Sequence, residues 1–121
     1  MKVLLLGKKT KKLAAQLPLG ARFGRSDNAE GGMDMYMDAK DNNKPYDYVV
    51  SGMQSCIKRF RDIEERMNGK LDVPAKIVYA GHKNGFRSIL DAYEHGASAF
   101  VGPNITRDAL LQGFEMCELD S

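Results

Sequence analysis

The stretch Tyr46-Asp47-Tyr48-Val49-Val50-Ser51-Gly52-Met53-Gln54-Ser55 (YDYVVSGMQS) decides how the chain is read. Tyr48–Ser51 has the pattern of a buried strand that runs out into a loop at Gly52. Loops at the carboxyl ends of parallel strands are where α/β proteins keep their chemistry. Gly52 therefore stands where a working residue is expected, and it has no side chain.

Outward from this strand, the apolar runs alternate in period. Lys2–Leu6 (KVLLL) is a short continuous apolar run, the pattern of a strand covered on both faces. Thr10–Leu17 predicts two helical turns ended by Pro18. Ala21–Phe23 predicts a short second strand, and residues 24–32 (GRSDNAEGG) read as a loop. Met33–Lys40 reads as a short helix closed by DNNKP; core packing is the default for Met33, Met35 and Met37, and an adaptable exposed patch of one of them beside Tyr36 is the alternative. Gln54–Met67 has the clearest helical spacing, with NGK as its C-cap. Ala75–Tyr79 predicts a fourth strand. Phe86, Ile89, Leu90 and Tyr93 share one helical face, ended by Gly96. Ala99–Val101 predicts a fifth strand. Thr106 caps a last helix, with Leu110, Leu111, Phe114 and Cys117 for its buried side. Five strands alternating with five helices predict a parallel sheet between two helix layers.

The bulk numbers fit one soluble domain spanning residues 1–121. Hydrophobic residues make up 43% and charged residues 28%, and no internal repeat or linker interrupts the chain. The net charge of +2 is too small to argue for nucleic acid or membrane from the total. No apolar run approaches the ~18 residues of a membrane span. Cys56 and Cys117 sit in helical patterns without metal or redox spacing, which reads as free thiols in a reducing cytoplasm. His82 and His95 have no second ligand at metal spacing, and no serine has a partner that suggests a triad. Neither GxxxxGK[ST] nor GxGxxG occurs.

Residues 74–111, PAKIVYAGHKNGFRSILDAYEHGASAFVGPNITRDALL, resemble the second half of a two-component response-regulator receiver domain. The likeness lies in EHGASAFVGPNITRDAL, where receivers carry a Gly-Ala pair, an aromatic in strand five, a Lys-Pro pair and a Thr capping the last helix. KVLLLG and YDYVVSG fit the same family. The resemblance implies a three-layer, flavodoxin-like sandwich with five parallel strands in the order 2-1-3-4-5. It also implies phosphoryl transfer to an aspartate after strand three, aided by a divalent ion, a Thr or Ser after strand four and a Lys after strand five.

Position by position, the chain departs from that pattern. The metal-binding acids fall on Gly7 and Lys8, the phosphoacceptor on Gly52, the hydroxyl on Tyr79 and the lysine on or next to Gly102, where the segment from Gly96 to Pro103 is one residue shorter than usual. The aromatic switch position is Phe100, which lacks a hydroxyl. Lys8 would repel a divalent cation. The resemblance is thus to a pseudo-receiver: not an enzyme, without cofactor or metal, and independent of phosphorylation. The expected role is a cytoplasmic bacterial signalling module, the regulatory domain of a transcription regulator. Met1 opening the first strand suits an amino-terminal position in such a regulator.

The expected partner is a protein or a second copy, docked on the face of the fourth helix, fifth strand and fifth helix. Tyr93, Phe100, Ile105, Leu111 and Phe114 are the candidates there. Neither membrane nor direct nucleic-acid contact is expected. The alternative is a sensor for a small anion or nucleotide. Gly7, Gly52 and Gly102 would leave room for it, and Lys8 and Lys9 would supply charge ahead of a helix. Lys11, Lys12, Arg22 and Arg25 extend this basic segment, which also reads as a solvated helix face. Whether Tyr79 and Met53 fill the pocket discriminates between the two readings.

Overall fold

The computed structural model describes residues 1–8, 10–67, 73–81, 86–102 and 104–119, and the side chains of all of these but Lys11 and Phe86. Lys9, His82 and the predicted NGK cap lie outside the described residues. The elements run β1 (Lys2–Leu6), α1 (Lys11–Ala14), β2 (Arg22–Ser26), α2 (Ala29–Asp41), β3 (Tyr48–Ser51), α3 (Gln54–Arg66), β4 (Ile77–Ala80), α4 (Phe86–Glu94), β5 (Ala99–Val101) and α5 (Arg107–Leu119). The strands form one sheet in the order β2-β1-β3-β4-β5, every pair parallel. This is the expected flavodoxin-like, receiver-like topology.

Alternation along each strand sorts the core into two layers. Leu4, Leu6, Val49, Ile77 and Tyr79 face Met33, Ile57, Phe60 and Ala92 on one side. Val3, Leu5, Tyr48, Val50, Val78 and Ala80 face Leu13, Leu17, Leu110, Phe114 and Cys117 on the other. α2, α3 and α4 thus cover one face, and α1 and α5 the other. Central β1, β3 and β4 are apolar on both faces because both are covered.

The predicted loop over residues 24–32 is corrected. β2 continues to Ser26 because Leu4–Leu6 of β1 pair with Gly24–Ser26. α2 begins at Ala29, where the Asn28 side chain accepts the Gly31 N–H at 2.7 Å and caps the helix. Gly24 and Gly32 are packing residues: a Cβ on Gly24 would strike the Tyr46 hydroxyl and Met35, and one on Gly32 the Leu6 side chain.

The methionines of α2 follow the default reading and pack in the core. Met33 is buried, while Met35, Tyr36 and Met37 pack on the core, and Tyr36 meets the rings of Tyr46 and Phe60. α1 is shorter than predicted, one α-helical turn before the chain tightens through Gln16 N–H to Leu13 O (2.9 Å). Neither Cys56 nor Cys117 is in a disulfide.

Candidate functional site at the carboxyl ends of the strands

β3 ends beside β1 and β4, with Ser51 in register with Leu6 and with Tyr79. Ser51 is fully buried. Its hydroxyl donates to the Leu6 carbonyl at 2.9 Å and accepts the Met53 N–H at 3.1 Å. A hydroxyl serving one strand as donor and the next loop as acceptor turns the chain back over Gly52. Met53 is thereby held above Gly7. A Cβ on Gly7 would lie 3.1 Å from Met53 Sδ and 3.8 Å from Cys56 Sγ. Gly7 itself has φ +105°, and its carbonyl accepts the buried Thr10 hydroxyl at 2.8 Å.

The remaining glycine positions face backbone carbonyls. A Cβ on Gly52 would meet the Ala80 carbonyl oxygen at 3.1 Å. Gly102 has φ +147°, and a Cβ there would land on the Gly81 carbonyl oxygen. Gly81 donates its N–H to Val101 O at 3.0 Å, which fixes that carbonyl between β4 and β5. Tyr79 is buried with its ring on Phe100, centroids 5.9 Å apart. Side-chain room is thus taken at Gly7 and Gly102, whereas Gly52 has a single backbone oxygen in contact range. Met53 and the Gly81 carbonyl occupy that room, because close backbone approach is what a glycine permits.

The arrangement offers little for phosphoryl chemistry. None of Gly7, Lys8, Ser51, Gly52, Met53, Ala80, Gly81 and Gly102 carries a carboxylate. Among the described residues, no three His, Cys, Asp or Glu side chains converge as a metal site. Lys8 is exposed. Nearby acids are engaged elsewhere: Arg59 Nε donates to Glu30 at 2.6 Å, and Arg25 Nη2 to Asp27 at 2.9 Å. Arg59 holds the Glu30 carboxyl below the usual carboxylate range. Burial, then Glu30, pushes the Cys56 thiol up, away from a reactive thiolate. Met53 is the pocket filler that the sequence reading named; the hydrogen-bonding roles of Ser51 and Thr10 went unread, and a small hydroxyl at the end of an otherwise apolar strand was the available signal.

On the second expected site, Tyr93 is exposed. Phe100 and Ile105 are half-buried against the two core layers. Leu111 is half-buried one turn after Arg107, whose guanidinium reaches Leu17 O (3.0 Å) and Ala15 O (3.3 Å), so it belongs to the α1 side of α5. Phe114 takes the buried-side role expected of it and is corrected only as a contact-face candidate: it is buried and stacked on Tyr48 at 4.3 Å. The Tyr48 hydroxyl donates to Glu118 at 2.7 Å, and burial followed by that carboxylate raises its pKa. Leu90, Met116 and Leu119 are exposed apolar residues absent from the expected set. Leu90 turns outward because Ala92 provides the core contact of α4. No described helix is long and apolar enough to cross a membrane.

No protein-family model matches the sequence, and neither does any curated protein. Solved structures do match. The receiver domain of the histidine kinase CKI1 from Arabidopsis thaliana, complexed with Mg2+ and BeF3−, aligns over 98% of this chain and 89% of its own, with TM-score 0.68 and 14% identity. An atypical orphan response regulator, described as having a phosphorylation-independent regulatory mechanism, covers 97% of this chain and 94% of its own, with TM-score 0.66 and 20% identity. A two-component response regulator from Clostridium difficile aligns over 98% and 96%, with TM-score 0.65 and 16% identity. The chain has the fold of response-regulator receiver domains.

Proposed function

We propose that the chain is a signalling module of the receiver type that works without phosphorylation or catalysis. The observation that carries this reading is the state of the strand ends. The positions that would hold metal, phosphoryl group and lysine are Gly7, Lys8, Gly52 and Gly102. A Cβ on Gly7 would meet Met53, one on Gly52 the Ala80 carbonyl oxygen and one on Gly102 the Gly81 carbonyl oxygen. Transfer of a phosphoryl group to a receiver needs an acceptor carboxylate and charge compensation for the developing oxyanions. Gly52 supplies no acceptor.

Signalling without that chemistry must pass through contacts. The side of α4, β5 and α5 presents Leu90, Tyr93 and Met116 to solvent, which supports a protein partner or a second copy there. The orphan regulator with a phosphorylation-independent mechanism offers a precedent within the fold. The proposed setting is the regulatory domain of a cytoplasmic bacterial transcription regulator. The anion-sensor reading loses its main support, since Met53 fills the room above Gly7.

Intact mass after incubation with acetyl phosphate and Mg2+ tests the proposal. No mass gain is expected, and BeF3− with Mg2+ should leave the thermal midpoint unchanged. An acyl-phosphate adduct overturns the reading.

A further inference from the structure

Charge is segregated across the sheet. Residues 8–26 hold Lys8, Lys9, Lys11, Lys12, Arg22 and Arg25 and no acid, and of these Arg25 is paired with Asp27. Residues 86–119 hold Asp91, Glu94, Asp108 and Glu115 against Arg87 and Arg107, and a fifth acid, Glu118, that Lys76 already pairs. The first segment leads into and forms edge strand β2, while the second forms edge strand β5 and its flanking helices. Four strand spacings, about 19 Å, separate the two edges.

Each edge also exposes apolar side chains. Phe23 of β2 is 51% exposed and Leu19 before it 86%, because α1 is too short to cover them. Phe23 is in register with Val3, which places it on the α1 face of the sheet, away from the acids of α2. On the opposite edge, Leu90 is 45% exposed, Tyr93 39% and Met116 42%.

We propose that copies of this chain associate head to tail, the basic α1–β2 edge of one docking on the acidic α4–α5 edge of the next. The inference rests on the proposed use of the α4–α5 side as a contact face and adds its occupant. Complementary charge steers the encounter, and the aromatic and aliphatic side chains supply buried area. Because the two edges face away from each other, one partner cannot cover both. The contact is therefore heterologous and repeats, rather than closing as a two-fold dimer.

Sedimentation equilibrium on the chain, freed of nucleic acid, tests this. At low salt the weight-average mass should rise past two copies with concentration, and at ~1 M salt it should fall toward one copy. Phe23→Asp and Tyr93→Lys should each give a single copy alone. Mixed in equal amounts, they should form a capped pair, since each keeps one intact edge. Lys12→Glu and Glu94→Lys, exposed charges remote from the core, guard against misfolding and should show the same single-variant losses. A discrete dimer lost in Tyr93→Lys and kept in Phe23→Asp overturns head-to-tail docking while upholding the α4–α5 face. A single copy at every concentration overturns the inference and leaves the proposed function with an unlike protein partner. Assembly that needs added DNA overturns it as well.

Discussion

Gly102→Lys, the substitution that would give the chain a receiver's lysine, should destabilise it severely. Gly102 has φ +147°, a conformation L side chains rarely adopt, and enforcing it costs about 1–3 kcal/mol. The new Cβ would also land on the Gly81 carbonyl oxygen, and Gly81 is bound to Val101 O through its own N–H at 3.0 Å. Relief requires moving backbone between β4 and β5, about 1–3 kcal/mol more. The combined loss of about 2–6 kcal/mol is a large share of an ordinary domain's stability. With a urea slope of about 1.5 kcal/mol/M, the unfolding midpoint should drop by about 1–4 M. Gly20→Ala separates the two contributions: Gly20 has φ +82° but no atom within 4 Å of its would-be Cβ, so it should lose only about 1 kcal/mol. If Gly102→Lys stays within ~0.5 kcal/mol of wild type, the pocket is merely empty and the argument for its closure is wrong.

Ser51→Ala leaves the Leu6 carbonyl and the Met53 N–H without their buried partner, and should cost about 1–3 kcal/mol in urea unfolding. An unchanged midpoint would show that the hydroxyl does not hold the β3–α3 turn. Lys76, then the Tyr48 hydroxyl, holds the Glu118 carboxyl below its ordinary range. A carboxylate whose folded pKa is depressed stabilises the fold above its unfolded pKa, and the contribution is lost as pH falls through the folded value. Glu118→Gln should therefore flatten the acid limb of stability against pH, and high salt should shrink the difference because the pair is exposed. An acid limb identical to wild type refutes that assignment.

Much of the fold was legible because strand and helix periods are local properties. KVLLL, YVVS and AFV declare buried strands by continuous apolar character. The errors fell where a distant partner decides. Residues 24–32 are rich in glycine and polar residues, yet the β1 ladder extends β2 through them and Asn28 starts α2 at once. Leu90 and Phe114 shared the apolar character of their helices, but Ala92 supplies the α4 contact with the core and Tyr48 claims Phe114.

The sequence by itself determined that the receiver positions carry no acceptor carboxylate, since Gly7, Gly52 and Gly102 are read directly from the chain. Only the tertiary structure decided what became of the space. Met53 lies over Gly7, and the Ala80 and Gly81 carbonyls close on Gly52 and Gly102. A missing side chain is a local fact, whereas the atoms that fill its place arrive from strands and loops far along the chain.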